Sequence, residues 1–205
     1  RGTSVKPLIT HGEQSCIVFG KFRAVMPRGG SEVGVGVQRS LSGDVQIKLA
    51  GEVVRKVATL AEKFPLQVIT ADSFDLLTGP PQGRRQYLDW GVFHVEHRFY
   101  AEWQCFQRCI KQRNKLLRHG KMADHELTVW TRDLASSGAL INEYRQTYLE
   151  LLTPRFKELM RSLAPGLGEL QLTFRQGWDR QLSFHEALEK GVSIDLEQGY
   201  THCGP

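Results

Sequence analysis

Two guanidinium groups follow a tight turn within the segment from residue 72 to residue 90. Gly79 and the pair Pro80-Pro81 form the turn signal, and Arg84 and Arg85 come directly after it. Paired guanidiniums beside such a turn can hold a phosphate or clamp carboxylates. Alternatively, the two arginines form salt bridges with aspartates of the same segment and only fasten a sheet to the helices that follow. The candidate aspartates are Asp72, Asp75 and Asp89.

A run of cations with no acidic residue among them lies between residues 108 and 121. Its members are Arg108, Lys111, Arg113, Lys115, Arg118 and Lys121. Arg108, Lys111, Lys115 and Arg118 step by three, four and three, which places them on one helical face. Such a stripe can follow a DNA backbone, with an affinity that falls as salt rises. A solvated face and a docking surface for an acidic protein are the alternatives.

The sequence gives little support for metal binding or for catalysis. His94, His97, Cys105 and Cys109 are metal-ligating types, but nothing in their spacing fixes them at tetrahedral range. Cys109 also lies beside an apolar seam, where cysteine behaves as a small hydrophobe. The sequence contains no G-x-x-x-x-G-K-[ST], G-x-S-x-G, H-E-x-x-H or C-x-x-C motif. We therefore predict neither a metal site nor catalytic residues in this chain.

Composition excludes several classes of protein. The chain has 205 residues, of which 40% are hydrophobic, so it can bury a core and is not a disordered sequence. Its apolar runs are too short for a transmembrane helix. The formal net charge of +5 combines a basic body with an acidic excess after residue 166, which suggests an anionic partner. The scattered cysteines predict a reducing cytoplasm.

The elements that position these residues follow from hydrophobic periodicity. A mixed apolar run at residues 16–22 and two alternating stretches between residues 33 and 49, separated by short turns, predict an antiparallel β-meander. Helical spacing then runs from Val53 to Phe64, where Pro65 ends it. The short apolar run from Leu66 to Ile69 predicts a buried strand.

The chain becomes helical from about residue 92. Two heptad seams, joined around residues 119–121, predict a long antiparallel helical hairpin. Pro154 is expected to kink or interrupt the second helix because it lacks an amide donor. A strand at Leu170–Phe174 and a helix at Phe184–Leu196 complete an α+β fold.

The segment from Asp72 to Asp89 resembles the RecF family of bacterial DNA replication and repair proteins. The matching positions are Asp72, Leu76, Leu77, Gly79, Pro81, Arg84, Arg85, Tyr87, Leu88 and Asp89. Ala71 stands where the family has proline, and Pro80 where it has a small residue. The resemblance continues in the ranges 111–118, 174–178 and 200–205, so it spans essentially the whole chain.

The resemblance implies a central fragment of an SMC-like ABC ATPase. Residues 1–91 would be part of the ATPase head (lobe I), residues 92–198 the helical arm domain (lobe II), and residues 199–205 the start of a return strand. The phosphate loop, the Leu-Ser-x-Gly-Gln motif and an apolar strand ending in paired acids do not occur here. The chain itself is therefore not expected to be an enzyme, whereas the intact parent would be a slow DNA-dependent ATPase that uses ATP and Mg²⁺. Gln67 or Asp72 would face the nucleotide in that parent.

The resemblance also implies a function in recombinational repair. The intact protein would dimerise on ATP, bind double-stranded or gapped DNA and, with RecR and RecO, help load RecA in the cytoplasm. This piece would supply only DNA- or partner-contacting surface. The residues predicted to contact DNA or phosphate are Arg84, Arg85, Arg108, Lys111, Arg113, Lys115 and Arg118. One alternative is a protein-interaction arm of another SMC-like ATPase without direct DNA contact. Another is a complete metal or hydrolytic enzyme.

Overall fold

The computed structural model describes residues 6–23, 32–119 and 124–205. The chain divides into two compact units, Arg1–Val68 and Ile69–Pro205. The predicted boundary between residues 91 and 92 falls inside a helix of the second unit, so the compact units part earlier in the chain than the predicted domains. Among the described residues, no helix has the length and apolar character needed to cross a membrane.

The first unit is built on a four-stranded antiparallel sheet in the order β1-β2-β3-β4, which confirms the predicted meander. The strands are β1 (Ser15–Arg23), β2 (Glu32–Ser40), β3 (Val45–Leu49) and β4 (Glu52–Val54), followed by helix α1 (Val57–Lys63). In this sheet the side chains of Val35 and Ile47 are buried. The alternation of valines with glycines and polar residues in β2 places one set of side chains on each face.

Strand β4 was missed by the sequence analysis, which began a helix at Val53. Ala50 and Gly51 both have positive φ, at 52° and 89°, and form a two-residue hairpin turn. The turn returns the chain along β3, where Glu52 pairs with Leu49 and Val54 with Ile47. Helix α1 therefore begins only at Val57.

Three predicted strand segments do not form in the described chain. Residues 66–69 are irregular, and Leu66, Val68 and Ile69 are 68%, 75% and 84% exposed. Residues 170–174 are irregular as well, and so are residues 199–205. An apolar run becomes a strand only when a neighbouring strand takes its backbone hydrogen bonds. No such neighbour is present for these runs among the described residues.

The second unit is helical, and α4 and α5 form its centre. Its helices are α2 (Asp75–Thr78), α3 (Pro81–Val95), α4 (Phe99–His119), α5 (Asp124–Leu163), α6 (Phe184–Lys190) and α7 (Val192–Gln198). Arg113 contacts Thr131, and Phe106 lies beside Gly138, so later residues of α4 meet earlier residues of α5. The core comprises Val92, Phe99, Phe106, Cys109, Leu134, Ala135, Ile141, Phe184 and Leu188.

Of the two effects expected of Pro154, a kink or an interruption, the interruption does not occur, because α5 continues through this residue to Leu163. The proline removes the amide donor that the carbonyl of Glu150 would otherwise accept. The Thr153 hydroxyl donates to the neighbouring carbonyl of Leu149 at 2.6 Å. The predicted helix from Phe184 to Leu196 is divided at Gly191 into α6 and α7. A Cβ at Gly191 would lie 2.4 Å from the His202 ring, so this junction accepts only glycine without rearrangement.

Candidate nucleic-acid interface

The clearest cationic surface of the described chain lies along α4. We define the basic face as Arg108, Lys111, Lys115 and Arg118, all of which are exposed. Within the described residues none of these side chains forms an ion pair, and Arg108 has only a weak contact, at 3.9 Å, with the Cys105 sulfur. Cations that are not neutralised by the protein itself can attract phosphates. Lys121, the last member of the run in the sequence, lies outside the described residues.

Arg113 does not belong to this surface, which corrects the prediction that it contacts DNA. Its side chain is fully buried, and Nη1 donates to Asp195 Oδ2 at 2.6 Å. The same Nη1 lies 2.6 Å from the hydroxyl of Thr201, and Nε donates to the hydroxyl of Thr131 at 3.1 Å. The clue was present in the sequence, because Arg113 occupies a position of the apolar seam between Ile110 and Leu117.

Asp195 is the partner that sequence analysis missed. The carboxylate is fully buried, and its Oδ1 accepts the backbone N–H of His202 at 2.9 Å and contacts the Nδ1 of the same residue. A buried carboxylate requires such partners because the loss of hydration is costly. Nothing local in the sequence distinguishes Asp195 from the exposed acidic residues around it.

Arg84 forms hydrogen bonds to backbone carbonyls, which neither interpretation of the sequence predicted. Its Nη1 donates to the carbonyls of Leu76 at 3.1 Å and Gly79 at 3.0 Å, which satisfies free acceptors at the end of α2. The other arginine, Arg85, is exposed and forms no ion pair in the part of the chain that the structure describes. Both side chains lie at the start of α3, as predicted, but only Arg85 is wholly available to a ligand.

The third arginine interaction of the helical unit fastens α3 to α5. Asp89 receives two bonds from Arg145, at 2.7 and 2.9 Å, in a fork geometry that adds specificity. Gly91 also allows α3 and α5 to approach each other closely, because a Cβ at this position would lie 2.4 Å from the Tyr148 ring. Asp89 was offered by the sequence as a salt-bridge partner of Arg84 or Arg85, but in the structure it pairs with Arg145 instead.

Gln67 and Asp72, predicted to face a nucleotide in the intact parent, are both exposed. They belong to different compact units, Gln67 to the first and Asp72 to the second. Asp72 lies in a 3₁₀ turn, Ala71–Phe74, that leads into α2. The backbone N–H of Thr70 donates to the Ser73 hydroxyl at 3.0 Å and begins this turn, and Gly79 follows the last residue of α2.

The histidine and cysteine side chains considered as metal ligands contact other side chains of the protein. The sulfurs of Cys105 and Cys109 are 3.9 Å apart, and all four cysteines of the chain are free. Burial raises the pKa of the Cys109 thiol to about 12, and burial also lowers the pKa of His94, whose ring packs edge-on against Trp90. Among the described residues, no three histidine, cysteine or acidic side chains are grouped as metal ligands.

Comparison with known proteins gives one consistent result. The chain is 41% identical over all 205 residues to a protein of Pseudomonas entomophila, and 40% identical to one of Azotobacter vinelandii, both described as DNA replication and repair protein RecF. No family model matches the chain. Two solved structures align over the whole chain, with TM-scores of 0.83 and 0.78 at 19% and 21% identity. They are described as the recombination mediator protein RecF, with ATPrS and with ATP, in the RecFOR pathway.

The mixed fold of an antiparallel sheet unit and a helical unit is therefore the fold found in these recombination mediators. Over its whole length the chain is similar to RecF proteins of DNA replication and repair and corresponds to a part of them. It spans about half the length of the curated relatives that it matches, at 55% of each.

Proposed function

We propose that this chain supplies part of the DNA-contacting surface of a RecF-type recombination mediator, and that the basic face of α4 is that surface. The observation that carries the proposal is the group of exposed cations on one side of a long helix, without ion-pair partners in the described chain. Phosphate contacts of this kind give affinity and register but no sequence specificity. Arg85 is a further candidate contact because its guanidinium is exposed and, among the described residues, forms no ion pair.

For the whole protein we propose ATP-controlled binding to double-stranded or gapped DNA, with ATP and Mg²⁺ bound mainly by segments other than this one. Gln67 or Asp72 faces the nucleotide in that assembly, α4 and α5 act as the arm, and hydrolysis resets an ATP-dependent homodimer. RecR and RecO are the proposed partners in loading RecA. The chain by itself is proposed to have no ATPase activity, because the sequence lacks a phosphate loop.

The basic face is tested by reversing Lys111 and Lys115 to glutamate and measuring fluorescence anisotropy with a labelled gapped duplex. At about 50 mM salt we expect an affinity at least about tenfold lower than that of the wild-type chain. The plot of log K against log salt becomes shallower by roughly two units, because each lysine that contacts a phosphate contributes about one.

A matched control reverses two exposed lysines elsewhere, Lys48 and Lys190, and changes the net charge by the same amount. This variant should retain most of the wild-type affinity and salt slope. Equal losses in both variants would show that only overall charge matters and would remove the assignment to α4. If the wild-type chain does not bind at about 50 or 200 mM salt, the second candidate, a docking face for an acidic protein, replaces the DNA proposal.

A further inference from the structure

Residues 199–205 are held to the helical unit mainly by side chains. Between Thr201 and Pro205, the described chain has one backbone-to-backbone bond, from the N–H of Gly204 to the carbonyl of Gly177 at 3.4 Å. The N–H of Thr201 instead donates to Asn114 Oδ1 at 2.8 Å, and that of His202 donates to Asp195 Oδ1 at 2.9 Å. Side-chain acceptors thus take bonds that a neighbouring strand would otherwise provide.

The side chains that hold Thr201 come from one turn of α4. Asn114 Oδ1 accepts the hydroxyl of Thr201 at 2.7 Å in addition to its N–H. The oxygen of the same hydroxyl accepts a hydrogen bond from Nη1 of Arg113 at 2.6 Å. Arg113 and Asn114 are adjacent in sequence, so one helical turn fixes both the backbone and the side chain of Thr201.

Asp195 of α7 closes the network from the other side. Its Oδ2 accepts a hydrogen bond from the Arg113 guanidinium, and its Oδ1 bonds His202. Neither Arg113 nor Asp195 has any exposed side-chain surface. Among the residues that the structure describes, Nη2 of Arg113 is buried and has no hydrogen-bond partner. A buried ion pair with an unsatisfied donor is not the arrangement that stability alone would favour, whereas it does specify one relative position of the segments that it joins.

The same part of α4 carries the basic face. Lys111 and Lys115 are exposed on either side of the inward-facing pair Arg113 and Asn114. Near the end of the helix, the Arg118 side chain packs close to Gly199, where a Cβ would lie 3.2 Å from its Cγ. A displacement of residues 199–205 therefore has to alter the turn that positions these cations.

We propose that Arg113, Asn114, Asp195 and His202 form a positioning latch that couples residues 199–205 to the basic face of α4. When the latch is closed, the cations keep one spacing along the helix. When it opens, the segment and the C-terminal half of α4 loosen together, and the basic face binds phosphates more weakly. The effect on DNA rests on the proposed function, whereas the coupling between the two segments does not.

The test is hydrogen–deuterium exchange of the full chain carrying Asn114→Ala, which removes the acceptor of Thr201 but leaves the Arg113–Asp195 pair intact. We expect exchange to rise about tenfold or more in peptides covering residues 199–205 and also in those covering residues 111–118. The affinity for a duplex falls severalfold with an unchanged salt slope, since every cation of the basic face is still present. Asp195→Asn is the second variant, with larger effects in the same direction.

Asp89→Asn is the matched control, since it breaks a pair between α3 and α5 that does not involve residues 199–205. It should raise exchange in α3 and leave residues 199–205 at the wild-type rate. The latch is overturned if Asn114→Ala loosens residues 199–205 while residues 111–118 keep their wild-type exchange. If the wild-type chain fails to bind DNA, the proposed function fails, but the exchange experiment still decides the coupling.

Discussion

At the scale of single residues, the same residue type has opposite roles on one helix. Arg108 and Arg118 are exposed on α4, whereas Arg113 is fully buried and paired with Asp195. The heptad position separates them, because Arg113 falls in the apolar seam and the other two fall outside it. An arginine in such a seam is better interpreted as a buried structural cation that requires a distant carboxylate.

Close packing at Gly138 gives a prediction at this scale. A Cβ there would lie 2.3 Å from Cε1 of Phe184, which is itself buried. We expect Gly138→Ala to lower the free energy of unfolding by about 1–3 kcal/mol, because the Phe184 ring has little room to move. Urea denaturation of both proteins measures the difference.

Gly83 provides the matched control because it lies in α3, and a Cβ added there would meet no described atom within 4 Å beyond its chain neighbours and the backbone of its own helix. Gly83→Ala should raise the free energy of unfolding by about 0.5–1 kcal/mol, since alanine restricts the unfolded chain and favours helix. A Gly138→Ala protein as stable as the wild type would show that the α5–α6 contact is looser than the structure indicates.

At the scale of elements, local signals were most reliable where the partner is close in sequence. The strands β1 to β3 are joined to their neighbours in the order of the chain, and the apolar run in β1 with the alternation in β2 and β3 was sufficient to predict them. The runs at residues 66–69 and 170–174 have the same apolar character, but in the described chain they lack a neighbouring strand. The sequence therefore predicted strand pairing where the neighbouring strand follows directly in the chain, but not whether the later apolar runs have a neighbouring strand.

Helix α6 begins with a reciprocal cap that gives an element-scale prediction. The Ser183 hydroxyl accepts the N–H of Glu186 at 3.2 Å, and the Glu186 carboxylate accepts the N–H of Ser183 at 2.7 Å. Ser183→Ala should lower the free energy of unfolding by about 1 kcal/mol at pH 7. The Ser193→Ala variant, in the exposed part of α7, should change it little.

The cap also predicts a pH dependence. The backbone N–H of Ser183, followed by its hydroxyl, lowers the pKa of Glu186 from its ordinary value. A carboxyl whose pKa is lower in the folded protein stabilises it above the unfolded pKa, and this contribution disappears as pH falls through the folded pKa. The stability difference between wild type and Ser183→Ala should therefore shrink between about pH 7 and pH 3. A difference that stays constant over this range would contradict the reciprocal bond.

At the scale of the whole molecule, the two compact units differ in how much they bury. In the described part of the first unit the buried hydrophobic residues are Ile9, Val35 and Ile47, while Ile17, Val18 and Phe19 of β1 are each more than 60% exposed. The second unit contains the main core. Local stability follows buried apolar contacts, so the sheet unit should open at a lower free energy than the helical unit.

The position of the tryptophans makes this difference measurable. Trp90, Trp103, Trp130 and Trp178 all belong to the second unit, so tryptophan fluorescence reports on that unit alone. In a urea titration we expect amide exchange in β1 to β3 to reach its unprotected rate below the fluorescence midpoint. Coincident transitions would show that the two units unfold as one cooperative body.

By itself, the sequence determined the antiparallel meander, the long helices, the seam that forms the core and the basic face of α4. These features depend on residues a few positions apart, where helical or strand period decides which side chains share a face. It also carries the resemblance to RecF proteins, most clearly in the Gly-x-Pro-x-x-Arg-Arg segment. What it could not determine is which charges meet.

Only the tertiary structure joined Arg113 to Asp195 and Asp89 to Arg145, and only it assigned Arg84 to the carbonyls that end α2. The two ion pairs connect residues 82 and 56 positions apart. The free energy of a buried ion pair depends on the distance and burial of both groups, which local periodicity does not encode.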